Sequence, residues 1–324
     1  MAEPSGGMRR YGSFGDLPLG GPRRVVAIGS FDGVHLGHQA IVRRAVELAR
    51  ERGLPSMVLT FDPNPITVLH PGYRVPVLTT MPFRAALIER LRVDELLVVP
   101  FTRALARVRA ERFAEQIISA PVGADAVVVG QSFRFGHGGA GTADTLRRLG
   151  RRAGLRVEVP DVVLSADGVP VSSTRIRKLV SQGRVAEATP LLGRPHSVEG
   201  RVVHGAERGR AMGLPTANVE PLLPDAAVPG RGVYAGRAVL AGGAWAAAIN
   251  VGYAPTFAAE GATPPLRLEA FLLDYEGDEL YGEPLRVEFL ERLRDEQRFP
   301  SPDALVAQVQ EDIRRTRESV GAPA

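Results

Sequence analysis

The chain has 324 residues, of which 44% are hydrophobic and 23% charged, enough apolar material for two buried cores. It contains no cysteine, which excludes disulfides, thiolate nucleophiles and cysteine-ligated zinc or iron–sulfur sites, so any metal must bind through oxygen or histidine. The net charge of +4 would suit nucleic acid, but arginines alternate with Glu and Asp along Arg43–Arg52 and Arg107–Glu115, the pattern of solvated helix faces, and no nucleic-acid partner is expected.

Residues 1–22 show no periodicity and are expected to form a flexible tail. They also lack the apolar core and cleavage pattern of a secretory leader, and no later run is apolar enough to span a bilayer, so a cytoplasmic location without a membrane partner is expected. Up to residue 186, strand-like runs alternate with helical periodicity. The strands are Val25 to Ile28, Ser56 to Phe61, Glu95 to Phe101 and Ala126 to Gly130. The helices are Gln39 to Arg52, Pro82 to Arg92, Arg103 to Ser119 and Thr142 to Gly154. This alternation predicts a Rossmann-like α/β domain, residues 23–186, with a parallel sheet covered on both faces. The excursions Asp62 to Pro82 and Gln131 to Gly141 leave the carboxyl ends of strands, where open α/β sheets bind ligands.

A linker is expected at 187–195, and the pattern then changes. Short β-branched strands at Val198 to His204, Gly232 to Leu240, Trp245 to Val251, Leu266 to Leu273 and Leu285 to Phe289 predict a small antiparallel β-barrel domain, residues 196–318. A C-terminal helix begins at Ser301-Pro302-Asp303 and carries Leu305, Val306, Val309 and Ile313 on one stripe.

The most informative segment runs from Gly29 to His38, Gly-Ser-Phe-Asp-Gly-Val-His-Leu-Gly-His, directly after the first strand of the parallel sheet. Glycines allow close backbone approach to a ligand, and a helix start presents unpaired N–H groups to an anion. His35 and His38, three apart, share a face from which imidazole N–H groups can donate to phosphate oxygens. A lone histidine is ordinarily structural, but two within one glycine-rich turn suggest nucleotidyl transfer. Lys178 is the only lysine, so no P-loop exists. A second cluster, Val171-Ser172-Ser173-Thr174-Arg175-Ile176-Arg177, offers hydroxyls at a helix start and arginines one turn in. Alone it reads as a cap, and beside the histidine motif it suits a triphosphate. A third segment runs through Gly205, Arg210 and Gly213 to Pro215-Thr216-Ala217-Asn218. It supplies backbone N–H groups and then a hydroxyl and an amide oxygen that suit a hard cation such as Mg²⁺, although an ordinary barrel loop is an equal reading. Glu269, flanked by Leu268 and Phe271 on a strand-like run, is either a proton acceptor or the partner of Arg267 or Arg294 in a rim salt bridge.

With these residues in view, the sequence resembles the bacterial bifunctional riboflavin kinase/FAD synthetase family over roughly Val25 to Arg317. The N-terminal resemblance runs through GSFDGVHLGH, FDPNP (Phe61 to Pro65), GQSFRFG (Gly130 to Gly136) and VSSTRIR. The C-terminal resemblance runs through Pro215-Thr216-Ala217-Asn218, Asn250-Val251-Gly252 and Arg267 to Asp274. It implies an FMN adenylyltransferase domain followed by a riboflavin kinase domain, acting on ATP, Mg²⁺, riboflavin, FMN and FAD as small-molecule cofactors, substrates and products. By motif position, Gly29, Phe31, Asp32, Gly33, His35, His38, Asn64, Ser173, Thr174 and Arg177 would serve adenylylation. Gly205, Arg210, Gly213, Thr216 and Asn218 would hold the kinase nucleotide, with Thr216 and Asn218 on the metal and Glu269 catalytic. Asn64 stands where the family often has histidine, and Ser132 where it has aspartate. Asn64 can donate a hydrogen bond but cannot titrate. A single-activity nucleotidyltransferase or a non-catalytic flavin-sensing regulator are the alternative functions. Phe133, Phe135 and Tyr281 are aromatic candidates for flavin contact, with core packing the alternative.

Overall fold

The computed structural model describes residues 7–119, 121–204, 216–253, 266–297 and 299–321. Its contacts divide the chain into two units, Met1–Val75 with Met81–Val171, and Pro76–Thr80 with Ser172–Ala324.

The first unit contains β1 (Arg9–Tyr11), β2 (Arg24–Ile28), α1 (Leu36–Arg52), β3 (Ser56–Asp62), α2 (Pro65–Leu69), α3 (Met81–Glu89) and β4 (Glu95–Pro100). After α4 (Arg103–Ala106) and α5 (Ala110–Arg112), a π-helical stretch covers Phe113–Ser119. Then come β5 (Ala124–Val128), a separate pair β6 (Arg134–Phe135) and β7 (Gly141–Thr142), α6 (Ala143–Ala153) and β8 (Arg156–Glu158). The main sheet has six parallel strands in the order β1-β4-β3-β2-β5-β8. Successive side chains on a strand face opposite ways, and the apolar runs divide accordingly. Val26, Ile28, Met57, Leu59, Leu97 and Val127 pack with Phe113, Ile118 and Leu146 on one face. Val25, Ala27, Val58, Leu96 and Val128 pack with Val42 and Leu48 of α1 and with Phe83, Leu87 and Ile88 of α3 on the other. From β2 the sheet grows in both directions, so its carboxyl end is the switch point where such sheets take ligands.

Three expectations are corrected here. Residues 9–11 are an edge strand rather than part of a flexible tail: they pair with Glu95–Leu97, and Arg9 and Arg10 reach Glu95 and Glu89 at 2.7 Å and 2.9 Å. The single helix expected over Arg103 to Ser119 breaks between α4 and α5, where the carbonyl of Val108 accepts the His137 N–H at 2.7 Å and Gly136 presses on Ala110. The expected linker is largely helical, because Val185, Ala188, Leu191 and Leu192 form a buried stripe.

In the second unit, α7 (Ser173–Ser181) and α8 (Val185–Leu192) precede β9 (His196–Val203), β10 (Ala217–Pro221), β11 (Gly232–Leu240), β12 (Gly243–Tyr253), β13 (Leu266–Leu272) and β14 (Pro284–Arg294). These strands close an antiparallel barrel in the order β10-β13-β12-β11-β14-β9. Val198, Val219, Tyr234, Ile249, Leu268, Ala270, Val287 and Phe289 belong to its core. The final helix α9 (Pro302–Gly321) lies against β11 and β12, tied by Arg294, whose guanidinium bonds both carboxylate oxygens of Asp312 at 2.7–3.1 Å. Its buried face runs through Asp312, Ile313 and Thr316, whereas Val306, expected on the apolar stripe, is exposed. β10, which the sequence pattern missed, is only five residues long.

Opposite the ligand end of the parallel sheet, Arg24 and Glu95 form an ion pair at 2.5 Å with side chains 2% and 1% exposed. The carbonyls of Pro22 and Val122 accept further hydrogen bonds from Arg24. Breaking a buried pair leaves an uncompensated charge, so Glu95→Gln is expected to lower the unfolding free energy of this unit by about 3–5 kcal/mol, measured by chemical denaturation. Nearer the surface, Arg44 of α1 bonds Glu158 of β8 at 2.7 Å and holds its carboxyl below the usual 4.5. A depressed carboxylate pKa stabilises the fold above its unfolded value, and that contribution is lost as pH falls through the folded value. Glu158→Gln is therefore expected to narrow the loss of melting temperature between about pH 5 and pH 3 while the two proteins differ by a constant amount above it.

Candidate active sites

The first site is built on the turn that follows β2. Phe31 and Val34 adopt left-handed backbone angles, φ 48° and 41°, with Gly33 at 84° between them. Such angles are unfavourable for side chains bearing a Cβ, most of all for a β-branched valine. They persist here because Phe31 and Val34 are each 1% exposed, sealed into the α1 face of the core. The turn closes with a hydrogen bond from the Val34 N–H to the Phe31 carbonyl at 3.0 Å. A Cβ at Gly29 would lie 3.1 Å from the Phe31 ring, which would have to give by a few tenths of an ångström to admit one.

His35 is the N-cap of α1, and its Nδ1 accepts the His38 backbone N–H at 3.2 Å. That bond fixes the tautomer of the neutral ring, leaving the proton on Nε2 and giving the imidazole a donor. The His38 ring stacks on His35 with centroids 3.6 Å apart and meets the edge of Phe31 at 5.3 Å. The two histidines thus share one face of the helix start, where the helix dipole favours an anion. Asp32 is 1% exposed and pairs with Arg84 of α3 at 3.3 Å. Asn64 caps α2, its Oδ1 accepting the Ile66 N–H at 3.1 Å.

Ser173, Thr174 and Arg177 lie on α7, in the second unit. The capping role falls to Ser172, which accepts the Arg175 N–H at 3.3 Å. Ser173 and Thr174 occupy the first turn, and Arg177 donates from Nε to the Pro76 carbonyl at 2.6 Å. Phe135 is a core residue, and Phe133 stacks on it at 5.5 Å, so packing accounts for both. Tyr281 instead stacks on His204 at 3.8 Å.

In the barrel, Asn218 of β10, Glu269 of β13 and Asn250 of β12 stand directly opposite one another in register. Directly opposed residues of antiparallel strands share a face with Cβ atoms about 5 Å apart. Their neighbours Val219, Leu268, Ala270, Ile249 and Val251 point into the core, so the three polar side chains line the outer wall. Arg267 approaches Glu269 only to 3.9 Å with both side chains over a quarter exposed, a weak pair, while Arg294 is committed to Asp312. Thr216 is exposed just before β10. A hydroxyl, an amide oxygen and a carboxylate make a hard-oxygen set, which fits Mg²⁺ shared with nucleotide phosphates rather than caged by protein alone. Gly205, Arg210 and Gly213 lie outside the described residues.

Two residues of these sites escaped sequence reasoning. Arg84 falls on the stripe shared with Leu87, Ile88 and Leu91, and a cation on an apolar stripe was the available signal. Asn250 was visible only as part of a motif, because its alignment with Glu269 is a matter of strand register.

Residues 21–175 match the family model described as FAD synthetase, and residues 192–320 match that of riboflavin kinase. A bifunctional riboflavin kinase/FMN adenylyltransferase of Pseudomonas fluorescens is 38% identical, covering 92% of this chain and 93% of its own. The chain belongs to the bifunctional riboflavin kinase/FMN adenylyltransferase family. Relatives of the same description from Listeria monocytogenes and Escherichia coli K12 are each 36% identical, covering 91% and 92% of this chain and 91% and 93% of their own. A solved structure described as a macrolide-efflux protein from Streptococcus pneumoniae superposes with a TM-score of 0.83 at 32% identity, covering 96% of this chain and 98% of its own. Among the described residues no helix is long and apolar enough to cross a membrane.

In this family member, a Cβ at Gly37 would lie 3.1 Å from the His35 ring, and the ring would have to shift to admit a larger side chain. Gly37→Val is expected to reduce FMN adenylylation about a hundredfold, with riboflavin phosphorylation unchanged in a chromatographic flavin assay.

Proposed function

We propose that the barrel phosphorylates riboflavin to FMN and that the parallel-sheet unit then adenylylates FMN to FAD, with the residues above in the following roles. In the kinase reaction, the Glu269 carboxylate accepts the proton of the ribityl 5′-hydroxyl as that oxygen bonds to the γ-phosphorus of ATP and the bond to ADP breaks. Glu269 lies on the outer wall of the barrel with its side chain over a quarter exposed, beside Asn218 and Asn250, where a ligand can reach it. Asn218 and Thr216 would hold Mg²⁺, which supplies charge neutralisation on the ATP phosphates when bound. Asn250 flanks Glu269 on the side opposite Asn218 and orients the carboxylate.

In the adenylyl reaction, a phosphate oxygen of FMN bonds to the α-phosphorus of ATP and pyrophosphate departs. The FMN phosphate is already ionised near neutral pH, so no general base is needed. His35 and His38 act instead as aligned donors to the phosphate oxygens, a preorganised electrostatic effect worth several kcal/mol. Ser173, Thr174 and Arg177 are assigned to the triphosphate by their motif. Asn64 is assigned to the adenylyl site by its motif, as a neutral hydrogen-bond donor.

The observation that carries this reading is the stacked His35–His38 pair with Nδ1 of His35 already engaged as an acceptor. Replacing His38 by Ala is expected to abolish FAD formation while FMN still accumulates from riboflavin and ATP. Glu269→Ala is expected to block FMN formation yet allow FAD formation from supplied FMN. Loss of both activities from either substitution, in a protein with an unchanged melting temperature, would refute the two-site assignment.

A further inference from the structure

Arg84 is 4% exposed and Asp32 1%, and they meet inside the first unit at 3.3 Å between Nη2 and Oδ1. The same guanidinium donates from Nη1 to the Ser30 carbonyl at 2.9 Å. Thr60 of β3 donates from Oγ1 to that carbonyl at 3.0 Å. One cation on α3 therefore grips the turn at two points, the backbone of Ser30 and the side chain of Asp32. The residues held in left-handed angles, Phe31 and Val34, follow and flank these anchors, and His35 comes next. A planar, always-charged fork can bind two acceptors at fixed separation, which a flexible point charge does less well.

We infer that Arg84 is a positioning residue for adenylyl transfer. By fixing Ser30 and Asp32 it maintains the strained turn, and so sets where the His35–His38 pair presents its donors to the triphosphate. Arg84 does not touch the reacting atoms. The inference rests on the reading of His35 and His38 as phosphate donors.

The test uses the full chain with Arg84→Met, Arg84→Lys and, as a reference, His38→Ala. Steady-state kinetics of FMN adenylylation are measured against ATP, riboflavin phosphorylation is measured on the same preparations, and the neutral tautomer of His35 is read from imidazole nitrogen NMR. Arg84→Met is expected to raise KM for ATP and lower kcat, together costing about a hundredfold in kcat/KM. The expected NMR result is loss of the His35 Nδ1-acceptor signature, with riboflavin phosphorylation within about twofold of the parent. Arg84→Lys is expected to restore roughly a tenth or more of the parent kcat/KM, since charge returns without the fork. A merely structural role would lower the melting temperature and the active fraction while leaving KM and the His35 signature as they were, and that result overturns the inference. Wild-type kinetics in Arg84→Met overturn it equally. Should Arg84→Met fail to fold, Asp32→Asn removes the opposite charge with little change of shape. The same KM and tautomer changes are then expected, and unchanged values overturn the inference. Unimpaired adenylylation in His38→Ala would instead refute the phosphate-donor reading, and the Arg84 role with it.

Discussion

Holding a phenylalanine and a valine in left-handed backbone angles disfavours the turn after β2 by about 1–3 kcal/mol at each position. A short loop cannot sustain this alone, and much of the first unit is arranged around it. Phe31 and Val34 drive their side chains into the core beneath α1, and Thr60 and Arg84 converge on the Ser30 carbonyl. The result is that α1 begins immediately beyond the carboxyl end of β2, with two histidines stacked on its first turn. The strain at the turn and the preorganisation of its donors are two consequences of one backbone path.

The barrel reaches chemical order by a different route. Its polar row exists because register aligns Asn218, Glu269 and Asn250 across three strands, while alternation sends the intervening residues into the core. A slip of one residue would reverse every side chain and bury the carboxylate. The core of Leu268, Ala270, Ile249 and Val251 therefore fixes the polar row as firmly as it fixes the fold. On another part of the outer wall, α9 covers Val233, Ala235 and Leu293 and takes up Arg294 through Asp312.

The two units are also interleaved along the chain. The short stretch Pro76–Thr80 leaves the first unit and joins the second, where the Val77 N–H bonds the Asp225 carbonyl at 2.7 Å and the Ala227 N–H bonds the Val77 carbonyl at 2.8 Å. Arg177 of α7 bonds Pro76 in the same region. The helix that carries the hydroxyl and arginine motif is thereby packed with the barrel unit.

Much of this was legible in the amino-acid order. Alternation of apolar runs with helical periodicity gave the parallel sheet, closely spaced β-branched runs gave the barrel, and the motifs at His35, Thr174, Asn218 and Glu269 marked the candidate site residues, because each of these signals is local. What failed depends on partners distant in sequence. Arg9–Tyr11 becomes a strand only because β4 offers it an edge, residues 185–192 become a helix because the barrel covers their apolar stripe, and Val306 is exposed because α9 turns Asp312 and Thr316 inward instead. Which residues are candidates for the chemistry was determined by the sequence itself, through spacing within single turns and strands. How they are aimed was decided by tertiary structure, since the Arg84 clamp and the alignment of Asn250 with Glu269 join segments that meet only when side chains far apart in the chain share a core.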